Sequence, residues 1–394
     1  MSTPEHSTPP PRRPWRDPRV RALVFQALAL AFVVWAGWTL FNNTLTNMAE
    51  RGISTGFGFL DEQAGFGIGF SLIAYDETMT YGRTFWVGLL NTLLVSALGI
   101  FIATVLGFII GIARLSSNWL IAKLALAYIE VFRNVPLLLQ VFFWYFAVLQ
   151  NLPSPRQSVA VGEAAFLNNR GLYLPEPTYG PGAGWIGVAL IVGIVATIVL
   201  ARAARRRQDE SGERLPVLWP GIALIVGLPA AAYLLTGGPV TWELPALEGF
   251  NFRGGMVMVP ELAALLTALS VYTAAFIAEI VRSGILSVDR GQLEAAGALA
   301  LRPGMTLRLV VIPQAMRVII PPLTSQYLNL MKNSSLATAI GYPDLVAVFM
   351  GTTLNQTGQA VEIVAITMAV YLVISLSISA VMNIYNRMMA IKER

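Results

Sequence analysis

Eight runs of apolar residues, at approximately 22–42, 84–113, 119–149, 184–201, 216–236, 256–281, 309–331 and 361–386, divide this chain. A helix rises about 1.5 Å per residue, so roughly 20 apolar residues cross the ~30 Å hydrocarbon layer of a bilayer. The pattern predicts an all-α polytopic membrane protein with about eight transmembrane helices. Proline or charge interrupts the third and seventh runs, so their ends are soft. Runs longer than about 25 residues tilt or project from the membrane.

Composition agrees. The 394 residues are 55% hydrophobic and 12% charged, whereas a soluble domain has about 25% charged residues. The first run follows a Pro/Arg-rich tail, MSTPEHSTPPPRRPWRDPRVR. It is long enough to span and shows no clear cleavage site, so it reads as a retained helix rather than a signal peptide. With the N-terminus inside and the spans alternating, 19 of the 27 lysines and arginines lie on the cytoplasmic side and 6 outside. Arginine and lysine excess sets orientation, so both termini face the cytoplasm. The Arg-rich segment 202–214 is then a topogenic cytoplasmic loop. The alternation of Gly56, Gly58, Gly65, Gly67 and Gly69 with aromatic and apolar residues predicts compact irregular structure or an interfacial hairpin outside.

Residue types exclude several chemistries. There is no cysteine, and the one histidine, His6, lies in the tail. Disulfides, thiol nucleophiles and His-based metal sites are therefore not expected. Lys123, Lys332 and Lys392 never follow a glycine, so there is no P-loop to hold ATP.

Residues 282–323, RSGILSVDRGQLEAAGALALRPGMTLRLVVIPQAMRVIIPPL, predict a short cytoplasmic helix between two spans. Glu294, Ala295, Ala296, Ala298 and Leu299 favour helix, and Pro303 stops it. Its small apolar side chains suit a groove in a partner, with Glu294 meeting a basic group there. This stretch resembles the EAA loop of binding-protein-dependent ABC importer permeases, the coupling helix that docks on the ATPase subunit. Glu294, Ala295 and Ala296 match the triplet, and Pro313 matches the proline that ends the motif. Where the family usually has a glycine, this chain has Ala300; Gly304 beside Pro303 is the expected substitute for the bend. Residues 128–140, YIEVFRNVPLLLQ, and 320–337, IPPLTSQYLNLMKNSSLA, are similar to the polar amino-acid branch.

The resemblance implies a MetI-like permease core in two parts, 84–149 and 256–388, with the coupling helix at about 291–304. Outside it lie the cytoplasmic tail 1–21, an extra helix and periplasmic segment 22–83, an insert 150–255 with two extra spans, and the tail 389–394. This extended form is similar to a permease subunit of general L-amino-acid importers of Gram-negative bacteria. It further implies an inner-membrane transport subunit that is not an enzyme, without a cofactor of its own. ATP and Mg would sit on a partner ATPase dimer. A second homologous permease, giving a heterodimer, and a periplasmic amino-acid-binding protein complete the set. The rival is an ion-coupled secondary transporter, which would need internal repeats and mid-membrane carboxylates.

Charges within a bilayer cost about 2.5–3.5 kcal/mol at mid-helix on insertion scales, so each such residue needs a reason. Glu130 and Arg133, three apart, share a helix face and are expected to pair, with Pro136 kinking the helix after them. Glu130, Arg133 and Gln140, with Asn333, Ser334 and Ser335 at the broken outer end of the seventh span, are candidates for the substrate pathway. A structural ion pair and a plain periplasmic turn are the competing readings. Glu279 and Arg282 form another i, i+3 pair, expected to support the coupling helix.

Overall fold

The computed structural model describes residues 18–50, 55–213 and 215–389. His6, Arg51, Arg214, most of the Pro/Arg tail and residues 390–394 lie outside the described residues. Helix α1, Pro18–Glu50, starts inside the expected tail and runs past the expected end of its span. Its most apolar stretch has no buried residue. Helix α2, Tyr81–Ala113, is capped by the Thr80 side chain. Helix α3, Trp119–Asn134, is capped by Asn118, whose Oδ1 accepts from the Leu120 and Ile121 N–H groups.

The kink expected at Pro136 in the run 119–149 is present and is large. The chain bends by 105° between α3 and the run that starts with α4, Leu137–Phe142, and continues through π and 3₁₀ turns to Asn151. Pro136 causes the break, because it offers no N–H to the carbonyl of Phe132 four residues back. Among the described residues, seven single helices are long and apolar enough to cross, and the bent pair makes an eighth if counted as one span.

Segment 150–255 contains α5, Gly184–Ser211, then α6, Leu218–Ile222, a π turn, and α7, Leu228–Leu235. Its flanks form small antiparallel sheets that the apolar pattern did not announce. Strands β1, Val159–Val161, β2, Ala165–Asn168, and β3, Gly171–Leu174, make three strands of one sheet. Strand β4, Glu176–Tyr179, pairs with β5, Val240–Glu243, with Tyr179 opposite Val240. Strands β6, Ala246–Glu248, and β7, Asn251–Arg253, form a hairpin, and β8, Met256–Met258, closes the first sheet against β3. These strands are too short to show the two-residue alternation that would mark them.

Helix α8, Pro260–Leu286, is the hub, burying fifteen of its residues. It is followed by α9, Arg290–Ala298, α10, Pro303–Thr306, a π segment Leu307–Val311, and α11, Ile312–Asn333. A 3₁₀ run, Ser334–Ile340, and a π run, Val346–Thr353, lead to α12, Leu354–Thr357, and α13, Ala360–Met389.

The core lies where α2 meets α8. A side chain at Gly107 would place its Cβ 2.5 Å from Ile277 Cγ2, and one at Gly111 2.7 Å from the Ala278 carbonyl oxygen. Small residues allow helices to approach this closely in lipid. On the outer side, residues 55–80 fold as compact irregular structure, as expected. Phe59 and Ala64 are buried beside Tyr81, Leu345, Phe349 and Ile363.

Candidate functional site

Helix α9 is fixed at both ends. Asp289 Oδ1 accepts from the Gly291 N–H at 2.6 Å, an N-cap that the sequence reading missed. At the other end Leu301 N–H bonds Ala296 O at 3.1 Å and Ala300 N–H bonds Gly297 O at 2.9 Å. That pair is the Schellman pattern, which requires a left-handed residue between helix and exit. Ala300 supplies it, with φ 54°, and is the one non-glycine with positive φ among the described residues. The bend is therefore at Ala300 and not at Gly304, which lies within α10. Ala296 is buried, while Glu294 and Ala295 are exposed. Leu293, next to Glu294 in the chain, and Leu299 at the end of α9 leave apolar side chains exposed. Pro313 is half-buried in the first turn of α11. It withholds an N–H from the Leu309 carbonyl, which accounts for the widened π segment just before it.

A cavity of about 190 Å³ opens between α8 and α11. Tyr272, Thr273 and Phe276 line it from α8, and Gln326, Asn329, Lys332 and Asn333 from α11. Hydroxyls, amides and one ammonium, with apolar ring faces, suit a small zwitterion. Of the predicted pathway residues only Asn333 lines the cavity. Arg133 stands behind it, its guanidinium 5.2 Å from the centre of the Phe276 ring. The expected Glu130–Arg133 pair does not form. Glu130 instead accepts from Asn134 Nδ2 at 3.2 Å, while Arg133 turns towards α8.

Gln140 braces the kink. Its Nε2 donates at 3.0 Å to Phe132 O, the acceptor freed by Pro136, and at 3.0 Å to Val135 O. Ser334 and Ser335 turn their hydroxyls back on the carbonyls of Met331 and Lys332, at 2.7 and 2.8 Å. The Glu279–Arg282 pair is present at 2.6 Å. Gln326, Asn329 and Asn333 escaped the sequence reading as a set, although their 3- and 4-residue spacing marks one polar helix face.

At the outer end Asp344 is almost fully buried. One carboxylate oxygen accepts from the Ala347 N–H at 2.8 Å, capping the π run. The other has no hydrogen-bond partner. Burial pushes its pKa up to about 7, and bonds from Ala347, Val346 and the Thr338 hydroxyl pull against that rise.

The family described as "Binding-protein-dependent transport system inner membrane component" matches residues 215–391. The putative amino-acid ABC transporter permease YhdX of Escherichia coli K12 is 61% identical over 96% of each chain. This chain belongs to the ABC importer permeases. It is also similar to the general L-amino acid transport system permease AapQ of Rhizobium johnstonii, 53% identical over 96% of this chain and 94% of that one. The glutamate/glutamine/aspartate/asparagine transport system permease BztB of Rhodobacter capsulatus is 42% identical over 96% of both. An ABC permease is a multi-pass transport subunit, not an enzyme, and nothing in these relatives supports an ion-coupled transporter.

Proposed function

We propose that this permease passes L-amino acids, of broad or polar specificity, into the cytoplasm by alternating access in the bacterial inner membrane. The observation that carries the reading is α9, a nine-residue helix locked at both ends between α8 and the π segment before α11. A rigid element can transmit a push that a flexible linker would absorb. A separate ATPase dimer, holding ATP and Mg, docks on Glu294, Leu293 and Leu299. Its closure tilts α8 and α11 and alters access to the cavity between them. A second homologous permease forms the other half of the pathway, and a periplasmic binding protein delivers the amino acid. Segments 84–149 and 256–388 act as the transport core, with 150–255 as an insert. The binding protein must favour the outward state, since a ligand without differential affinity shifts nothing. The names of the relatives support an amino-acid substrate.

The test is co-purification of the tagged chain in mild detergent. The wild type should bring down an ATPase and a second permease and support ATP-driven amino-acid uptake in liposomes. Glu294→Lys should lose the ATPase while inserting normally. Uptake by that variant at the wild-type rate would refute the docking assignment.

A further inference from the structure

We propose that the cytoplasmic half of this permease holds an anionic phospholipid of the inner leaflet in a cleft between α2 and α11. The cleft has a volume of about 710 Å³. Phe108 and Ile112 of α2 form one wall, Val311 and Met316 the other, and Val281 and Ile285 of α8 the floor. All lie towards the cytoplasmic ends of their helices, so the cleft opens to the inner leaflet.

Three observations favour a lipid. First, the lining is almost wholly apolar and carries no charged side chain. A void without partner atoms forfeits its dispersion contacts, and the liquid that surrounds a membrane helix is acyl chain. Second, arginines flank the cleft along the chain. Arg308 lies one turn before the lining residue Ile312, and Arg114 sits between the lining residues Ala113 and Leu115. Two carboxylates on this side are engaged: Glu279, which also lies in the field of Arg114, by Arg282 at 2.6 Å, and Asp289 by the Gly291 N–H. Basic pockets between helices on the cytoplasmic side hold anionic head groups. Third, the wall formed by Leu307–Val311 is a π segment, a geometry common at functional sites.

The site adjoins the turn that carries α9, so an acyl chain there wedges the helices that the coupling helix must move. The proposal needs only the membrane-embedded chain, so its test does not rely on transport. The whole importer, or the chain alone, is placed in nanodiscs containing phosphatidylglycerol or phosphatidylcholine with a photoactivatable acyl chain. Labelled peptides are then mapped by mass spectrometry. Label from phosphatidylglycerol should fall on residues 108–116 and 311–319 and exceed that from phosphatidylcholine. Arg308→Gln, at an exposed position, and Arg114→Gln, at a half-buried one, should each lower it roughly five-fold, as about 1 kcal/mol per basic residue implies. Ile312→Trp should lower the label from both lipids by obstructing the cleft. Equal labelling by the two head groups, labelling confined to other helices, or protection of the cleft by the second permease would each overturn the proposal.

Discussion

Ala300 holds a backbone conformation that costs an L-residue roughly 1–2 kcal/mol. Glycine adopts it freely, so Ala300→Gly should stabilise the end of α9 by about 1 kcal/mol. Hydrogen exchange at residues 296–301 should slow; unchanged or faster exchange would show that the turn is not strained. The residue was legible as a departure from the family pattern, but its consequence was not. A sequence shows that a glycine is missing, not that the alanine in its place has accepted the strain. Asp344 was not legible at all, because its character comes from burial and from Tyr371 of α13, 27 residues further along the chain. Its folded pKa of about 7 lies above the ordinary 3.8, so the folded protein binds this proton more tightly than the unfolded chain. Stability from this group is complete below about 3.8 and is lost as pH rises through about 7. Thermal unfolding of the wild type should therefore shift to lower temperature between pH 5 and 8. Asp344→Asn keeps the acceptor for Ala347 and should flatten that dependence; an equal slope in the variant would reject the assignment.

Among the elements, the long apolar runs announced themselves, since a bilayer demands one length and one composition. What escaped was the way elements are joined. Pro136 promised a kink, but the size of the bend and its support by Gln140 depend on contacts across the break. The pairing of Glu130 with Arg133 was the reading that spacing allows, and Phe276, 143 residues beyond Arg133, drew the guanidinium away. Gly107 and Gly111 are small residues in an apolar run, which suits close helix contact in lipid, and α8 is the partner they admit. At Gly111 a Cβ would sit 2.7 Å from the Ala278 carbonyl and 2.9 Å from Val281 Cβ, a backbone and a β-branched atom that cannot swing aside. Gly111→Val should therefore separate α2 from α8. The expected result is loss of most monodisperse protein on size-exclusion chromatography, whereas Gly304→Ala, with open space around it, should behave as wild type. Recovery of Gly111→Val with an unchanged melting temperature would contradict this packing.

For the whole molecule, segment 150–255 separates into a part woven into the core and a part hung from it. Strand β3 pairs with β8 at the head of α8, so the outer sheet is continuous with the helical core. The α5–α7 hairpin is different. Its arms pack on each other: Gly193 is covered by the Leu224 backbone and Gly221 by Thr197. Each arm's most apolar window is only 6% buried. The hairpin enters and leaves through one ribbon, where Tyr179 and Val240 are direct partners. Replacing residues 180–239 by Asn-Gly would turn β4–β5 into an ordinary two-residue hairpin, the connection whose twist suits antiparallel strands. The excision removes two crossings, so every later segment keeps its side of the membrane. The shortened chain should insert, melt within a few degrees of the wild type and still co-purify with its ATPase, because α9 and the cavity between α8 and α11 are untouched. Retention of the ATPase with loss of the second permease would instead identify the hairpin as the contact between permeases. Loss of both would mean that the lipid-facing arms support the core itself, against the self-contained packing at Gly193 and Gly221.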